Sequence, residues 1–294
     1  MALPGAGESV YPALLAMTVT RADIEGALGP CREAARVGSP SGMGECWRVV
    51  QNGEVKACKV ITRDYESERF EREVEAMQRI ESPRVVRVLG RGMLTTADDG
   101  EEHPYLLSEF LPGGDVRENI TANGWPDDRQ LRAFLLAVLE GVAELHRENV
   151  VHRDLKFENI VLLNGDWTQP VIIDLGLCRM LDLTSVTVYP WTGGTWPYMA
   201  PEQLQGERAF DRSDVWAVAV IAAELAMRQH PFWRGERNPP SDWDARLQAG
   251  MAIPGSRPAG LRDWLLSAGA YPGYRRPPAE DARRQLGSLW PQVW

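Results

Sequence analysis

The chain has 294 residues, of which 44% are apolar and 25% charged, which is typical of a globular protein with a sizeable core. A formal net charge of −9 and the lack of a long basic run argue against a nucleic-acid partner. The longest apolar run, 215–223, is too short to span a bilayer, and the N-terminal residues lack a signal-peptide pattern, so no membrane partner is expected. Four scattered cysteines without a CxxC pair favour reduced thiols and a cytoplasmic location.

Residues 1–36 carry the least regular pattern, and we treat them as an N-terminal extension of unknown role. The stretch from Thr20 to Asp23 is typical of a helix N-cap, and the helix would run towards Ala35. A leader with a single helical turn is the alternative.

A small antiparallel sheet with one helix is predicted over residues 37–111. Asn52-Gly53 lies between two stretches of alternating polarity, which is typical of a hairpin because both turn residues tolerate positive φ. The predicted elements are strands at 46–50, 54–61, 85–88 and 105–110, and a helix at 66–80.

Beyond the break at Leu111-Pro112-Gly113-Gly114 the pattern becomes helical, and residues 112–294 form the second predicted lobe. Long helices are expected at 127–147 and 213–227, and short ones after residue 243. A sheet lobe followed by a helical lobe is an α+β fold of two lobes, and clefts between lobes are common ligand sites.

One short segment of the second lobe gathers the chemistry of phosphoryl transfer. Residues 152–159 read His-Arg-Asp-Leu-Lys-Phe-Glu-Asn, and an acid follows fifteen residues later at position 174. Asp154 can accept the proton of an attacking hydroxyl, and Lys156 can neutralise charge on the transferred group. Asn159 and Asp174 supply hard oxygen ligands for Mg²⁺. A surface tripeptide before a buried strand is the alternative, but eight ordered residues and a well-placed second acid argue against chance.

This segment resembles the catalytic loop and metal-binding triplet of eukaryotic-type Ser/Thr protein kinases, and the resemblance extends from about residue 38 to residue 276. It implies a two-lobed protein-kinase-like fold. It also implies transfer of the γ-phosphoryl of ATP to Ser or Thr hydroxyls of a protein substrate, with autophosphorylation. Mg²⁺ is the implied metal, with Mn²⁺ as the alternative, held by Asn159 and Asp174. Asp154 and Lys156 are the implied catalytic residues.

The resemblance also implies an ATP site. Lys59 matches the strand lysine that grips the phosphates, with an exposed strand lysine as the alternative. The family spacing selects Glu73 as its ion-pair partner over Glu71 and Glu75. The remaining implied ATP contacts are Glu109 and Leu111 at the adenine, Asp115 at the ribose, and Val161. A helix N-cap is the equal alternative for Asp115.

The glycine-rich loop departs from the family pattern. Gly38-Ser-Pro-Ser-Gly42-Met-Gly44 stands where three spaced glycines would let backbone N–H groups approach the phosphates. Gly44 matches the last glycine, the register before it is ambiguous, and Pro40 removes one N–H donor. We therefore expect unusual ATP binding here.

Five further residues match positions of the family outside the chemistry itself. Thr195 falls in the substrate loop, Glu202 and Arg276 match a buried ion pair, and Asp214 matches the acid that braces the catalytic loop. Arg153 would pair with a phosphate on the loop between Gly176 and Gly194. The candidate acceptors there are Thr184, Ser185, Thr187, Tyr189 and Thr192.

Two other functions compete with an active protein kinase. A pseudokinase, or nucleotide-binding scaffold, is suggested by the irregular glycine loop. A small-molecule kinase is less favoured, because such enzymes lack the loop formed here by residues 195–202. The sequence names neither the protein substrate nor an oligomeric state.

Overall fold

The computed structural model describes residues 18–41, 44–61, 67–175 and 196–291. The chain divides into two units, the first drawing its described residues from Met1–Thr62 and Arg91–Leu106 and the second from Arg63–Gly90 and Leu107–Trp294. Strands predominate in the first unit and helices in the second, so the predicted α+β class is confirmed. Within the described part of the chain, no helix is both long and apolar enough to cross a membrane.

The sheet contains the predicted hairpin. Gln51 pairs with Glu54, and the turn residues Asn52 and Gly53 have φ angles of 53° and 81°, as a two-residue turn of the primed type requires. The strands are β1 (Glu33–Ser41), β2 (Gly44–Gln51), β3 (Glu54–Ile61), β4 (Val88–Thr95) and β5 (Glu102–Glu109). Their order in the sheet is β1-β2-β3-β5-β4, and β1–β2 and β2–β3 are antiparallel.

A short helix, α1 (Arg21–Leu28), precedes the sheet, and it ends well before the predicted position near Ala35. Thr20 and Asp23 form both hydrogen bonds of a capping box at its start. Gly29, with a φ of 84°, ends it, as glycine commonly does. The predicted boundary after residue 36 therefore falls inside β1.

The strand predicted at 85–88 is displaced in the structure. β4 begins only at the last of these residues, and Val85 forms an isolated bridge outside the named strands. The sequence pattern did not predict β4 at its observed position because β4 contains glycines, and glycine is depleted in strands. One of them is required by packing, since a Cβ atom on Gly92 would lie 2.4 Å from the hydroxyl oxygen of Tyr105.

The second unit is built on two long helices that pack against each other, α4 (Asp128–Arg147) and α6 (Asp211–Met227). Asp127 caps the first turn of α4, and the side chains that its apolar spacing places on one face are all buried, namely Leu131, Phe134, Leu135, Val138, Leu139, Val142 and Leu145. Each such buried side chain stabilises the fold by about 1.5–3 kcal/mol. The helices are α2 (Ser67–Gln78), α3 (Val116–Asn123), α4 (Asp128–Arg147), α5 (Pro201–Leu204), α6 (Asp211–Met227), α7 (Trp243–Ala249), α8 (Ala259–Ala268) and α9 (Ala279–Leu289); β6 (Ile160–Leu162) and β7 (Pro170–Ile172) form an antiparallel hairpin.

Candidate active site

The loop between α4 and β6 gathers polar side chains around Asp154. A turn of 3-10 helix, Phe157–Asn159, brings Asn159 back towards Asp154. The Asn159 Nδ2 group donates to the main-chain oxygen of Asp154 at 2.7 Å and to its Oδ2 at 3.0 Å. The Lys156 ammonium donates to the same Oδ2 at 3.1 Å. The loop thus brings together three of the four residues predicted for the chemistry.

The second carboxylate oxygen of Asp154 differs from the first. Oδ1 is buried and accepts no hydrogen bond from the described residues. A buried acceptor without a partner costs free energy, and such atoms are rare in folded proteins. A hydroxyl donor from a ligand would satisfy it.

The β6–β7 hairpin brings Asn159 close to Asp174 in the fold. Ile160 pairs with Ile172, and the Ile173 N–H donates to the Asn159 main-chain oxygen at 3.0 Å. Because Asn159 uses Nδ2 for both side-chain hydrogen bonds, its Oδ1 is left outside them. An amide oxygen and a carboxylate are the ligand types that Mg²⁺ takes, so these two residues fit the metal that the sequence predicts.

Asp214, near the start of α6, holds the loop at residues 152–159 from behind. Its carboxylate is buried and accepts the main-chain N–H groups of His152 and Arg153 at 2.9 and 2.8 Å. The His146 Nε2 atom lies 2.8 Å from it. Burial alone would raise the pKa of Asp214, but the hydrogen bonds from His146 and the Arg153 N–H hold that pKa below its ordinary value.

Two residues of the site have left-handed backbone angles that non-glycine residues rarely adopt. The φ angles are 68° at Arg153 and 65° at Asp174. Each such conformation costs about 1–3 kcal/mol and persists only when surrounding contacts fix it. For Arg153 these contacts are the Asp214 hydrogen bond and a second one, from the Gln203 side chain to the Arg153 main-chain oxygen at 3.0 Å.

The buried pair that the sequence predicts between Glu202 and Arg276 is present. The two side chains are joined by parallel hydrogen bonds of 2.7 and 3.0 Å, and the Ser213 hydroxyl donates to Glu202 at 2.6 Å. The guanidinium also lies 4.9 Å from the ring centre of Trp216. Burial would raise the pKa of Glu202, but Arg276 lowers it below its ordinary value. The pair anchors α5 to the chain before α9.

Lys59 lies in the first unit, on β3 opposite Cys46. Cys58 and Val60 point into the core, whereas Lys59 is half-buried on the other face of the strand, so it is not the fully exposed lysine of the alternative interpretation. Burial also raises the pKa of the Cys58 thiol, which indicates an unreactive side chain.

The glycine segment is irregular in the structure as well. The pairing of β1 with β2 shifts between Val37 and Ser41, the interval that contains Gly38 and a proline without an N–H donor. Gly44, which opens β2, has a φ of 151°, and a Cβ atom there would lie 2.0 Å from a main-chain oxygen of β3. Only glycine fits at that position. Gly42 lies outside the described residues.

The three candidate glutamates of α2 differ in exposure. Glu73 has a buried carboxylate oxygen, Glu71 is half-buried and Glu75 is exposed. Glu73 belongs to the second unit and Lys59 to the first. The assignment of Glu73 as the lysine's partner stays a prediction.

The residues predicted at the adenine and ribose surround the end of β5 and the start of α3. The Glu109 N–H donates to the Arg87 main-chain oxygen at 3.1 Å, and Leu111 is half-buried. Asp115 is the N-cap of α3, so the cap interpretation is confirmed, and its backbone bridges to buried Val161 in β6. Burial raises the pKa of Asp115.

Several predicted positions lie outside the described residues. These are Thr195 and the five candidate phosphate acceptors of the loop before it.

Sequence reasoning missed three residues that position the loop. His152 donates from Nε2 to the Ile173 main-chain oxygen at 2.9 Å, and its Nδ1 lies 3.3 Å from the Asp154 nitrogen. His146 and Gln203 bind the loop from α4 and α5. A histidine or glutamine in a helix gives no local signal of such a role.

Comparison with known proteins agrees with this geometry. The sequence profile of the protein kinase domain matches residues 35–253. The "Probable serine/threonine-protein kinase PkwA" of Thermomonospora curvata is 32% identical over 213 residues, 70% of this chain and 27% of that protein. The serine/threonine-protein kinase PknL of Mycobacterium tuberculosis is 36% identical over 156 residues, 52% of this chain and 39% of PknL. The chain thus spans well under half the length of these relatives.

Among solved structures, a crystal structure of Rad53 1-466 in complex with AMP-PNP aligns with a TM-score of 0.65 and 21% identity, covering 86% of this chain and 65% of that one. This likeness confirms the fold. Together with the profile match over most of the chain, it leads to one conclusion: the chain belongs to the protein kinase family.

Proposed function

We propose that the chain is an ATP-dependent serine/threonine protein kinase that transfers the γ-phosphoryl of ATP, with Mg²⁺, to a Ser or Thr hydroxyl of a protein. The observation that carries this proposal is the buried Oδ1 of Asp154, beside an oxygen already held by Lys156 and Asn159. A carboxylate with one oxygen fixed and the other without a hydrogen-bond partner among the described residues is suited to orienting a hydroxyl.

The proposed mechanism follows from the charges of the loop. Asp154 accepts the hydroxyl hydrogen at Oδ1, while the hydrogen bond from Asn159 keeps the carboxylate from rotating. The Lys156 ammonium, 3.1 Å from Oδ2, offsets negative charge on the phosphoryl group. Asn159 and Asp174 would hold Mg²⁺, which supplies electrostatic stabilisation of the phosphate oxygens.

The choice of Ser or Thr as acceptor is supported by the relatives, two of which bear that specificity in their names. Lys156, two residues after Asp154, supports the same choice. Because the chain spans a minor part of those proteins, its substrate and partners are part of the proposal. Three free cysteines among the described residues support action in the reducing cytoplasm.

A labelled-ATP transfer assay on a generic basic protein tests the proposal. We expect transfer by the wild type, with the label on phosphoserine or phosphothreonine. Asp154→Asn should reduce the rate by about 10²–10⁴-fold, the usual contribution of a general base. Asp174→Asn should abolish phosphoryl transfer. Asp263→Asn changes an exposed acid of α8, and as the matched control it should leave phosphoryl transfer intact.

Two results would contradict the proposal. Nucleotide binding without transfer, in wild type and variants alike, would identify a nucleotide-binding scaffold. Label on a small metabolite and on no protein would identify a small-molecule kinase.

A further inference from the structure

An arginine of α3 is bound within the second unit by groups from three other segments. The Arg117 guanidinium lies 3.2 Å from Glu224 Oε1, 3.0 Å from the Tyr198 hydroxyl and 3.5 Å from Glu158 Oε1. Its centre lies 4.5 Å from the centre of the Phe157 ring, within cation–π range. We call these five residues the Arg117 cluster.

The Arg117 cluster is rich in negative charge. Glu224 is buried and accepts the Tyr198 hydroxyl at 2.6 Å, whereas Glu158 is about half exposed. Burial raises the pKa of Glu224, and burial also raises that of Tyr198, which therefore stays neutral. Within the described part of the chain, Arg117 is the only cation in contact with either carboxylate.

The nearby imidazole of His230 adds no positive charge. It packs edge-on against Tyr198, with ring centres 5.2 Å apart. Burial, followed by the positive charge of Arg117, lowers the pKa of His230 to about 3. Without Arg117, the two carboxylates would therefore lack a compensating charge.

The Arg117 cluster adjoins the catalytic loop. Phe157 and Glu158 belong to the turn that delivers Asn159 to Asp154. Only three residues lie between Asp154 and Glu158, a span of at most roughly 14 Å even for extended chain. A peptide whose hydroxyl reaches Asp154 would carry its neighbouring side chains over a comparable distance, because each extended residue spans about 3.3 Å.

We infer that Arg117 is a specificity-determining residue, whose guanidinium occupies from within the chain the carboxylate site that would otherwise take an arginine of the acceptor peptide. The inference rests on the proposed function. It follows that the enzyme accepts peptides without an arginine near the acceptor, because the favourable contacts of such an arginine are already made internally.

The form of the Arg117 contacts supports this inference over a purely structural role. The guanidinium combines forked hydrogen bonds with stacking on an aromatic ring, which is how proteins bind arginine side chains. Its side chain remains 41% exposed, so the same position is open to a guanidinium arriving from solvent. Replacing Arg117 by alanine would vacate the position and leave Glu224, Glu158 and Phe157 to receive one.

The test uses neutral peptides with one acceptor serine and a single arginine placed at each of the four positions before and after it. For the wild type, KM should vary less than threefold across the set. In Arg117→Ala, KM should fall about tenfold for the peptide whose arginine reaches the vacated site, as expected for a new charge-assisted contact. Arg79→Ala removes an exposed arginine that pairs with Glu148 at 3.1 Å, and as the matched control it should retain the wild-type profile.

A second measurement is independent of turnover. Methylguanidinium should raise the melting temperature of Arg117→Ala relative to an equal concentration of sodium chloride, and it should not raise that of the wild type. A wild type that already prefers arginine near the acceptor would overturn the inference, and so would a variant that loses rate equally on all peptides without guanidinium rescue. If the wild type phosphorylates no peptide, the proposed function fails, and the rescue experiment still decides whether the site binds guanidinium.

Discussion

Replacing Asp214 by asparagine is expected to destabilise the second unit and to loosen the loop at residues 152–159. Three donors converge on this buried carboxylate, from the main chain of His152 and Arg153 and from the His146 side chain. Asparagine keeps one acceptor oxygen but directs an NH₂ group at donors. The loss of charge-assisted hydrogen bonds, together with the buried N–H groups that are left without an acceptor, costs on the order of 2–4 kcal/mol.

Thermal unfolding followed by tryptophan fluorescence measures this effect. The Tm of Asp214→Asn should fall by roughly 5–10 °C, at about 2–4 °C per kcal/mol for a domain of this size class. Phosphoryl transfer should fall at least about tenfold, because Asp154 follows directly on the two released N–H groups. Asp211→Asn changes a half-buried acid that pairs with Arg212 on the same helix, and it should stay within about 0.5 kcal/mol of wild type. If the Tm of Asp214→Asn lies within about 2 °C of the wild-type Tm, the role given to Asp214 is refuted.

Three further predictions concern stability. His230 has a pKa of about 3 when folded and 6.5 ordinarily, so between these values the unfolded chain binds a proton that the folded chain does not, and stability falls as pH falls. Between pH 7 and pH 5 the free energy of unfolding of His230→Asn should therefore fall by about 2 kcal/mol less than that of the wild type, as measured by urea titrations. Equal decreases in the two proteins would contradict this prediction. Arg276→Met should lower the free energy of unfolding by about 3–5 kcal/mol, because it leaves Glu202 buried without its cation. Adding Glu202→Gln to this variant should recover part of the lost melting temperature. If it recovers none, the uncompensated charge of Glu202 is not the cause of the destabilisation. Asp23→Ala should destabilise the first unit by about 1–3 kcal/mol, through loss of the α1 cap and of the Ala97 N–H bond, seen as faster hydrogen exchange in α1 but not in α4.

The sequence predicted elements well where short-range patterns decide them. Asn52-Gly53 determined a turn because few other residue pairs adopt its angles, and the pairing of Gln51 with Glu54 follows. The apolar spacing of α4 predicted its buried face correctly because helix geometry alone places those residues together. The polar cluster around Asp154 could be found for a similar reason, since Asp154, Lys156 and Asn159 are joined within six consecutive residues.

The sequence did not predict those features of the structure that depend on contacts between distant segments of the chain. β4 was displaced because Gly92 reads as a strand breaker, whereas in the fold it makes room for Tyr105 of the neighbouring strand. The Arg117 cluster had no local signal, because Arg117, Tyr198 and Glu224 are separated by dozens of residues. Such ion pairs depend on helix packing, which a periodic pattern does not specify.

The loop at residues 152–159 and the residue before Asp174 are both held by one buried imidazole. His152 is fully buried, and its main-chain N–H is fixed by Asp214. Its Nε2 donates to the oxygen of Ile173, the residue before Asp174, while its Nδ1 can accept the N–H of Asp154 at 3.3 Å. A neutral ring protonated at Nε2 satisfies both bonds. The proposed base and the proposed metal ligand are therefore positioned by the same side chain, so the left-handed backbone of Asp174 is supported by the core rather than by contacts with a substrate.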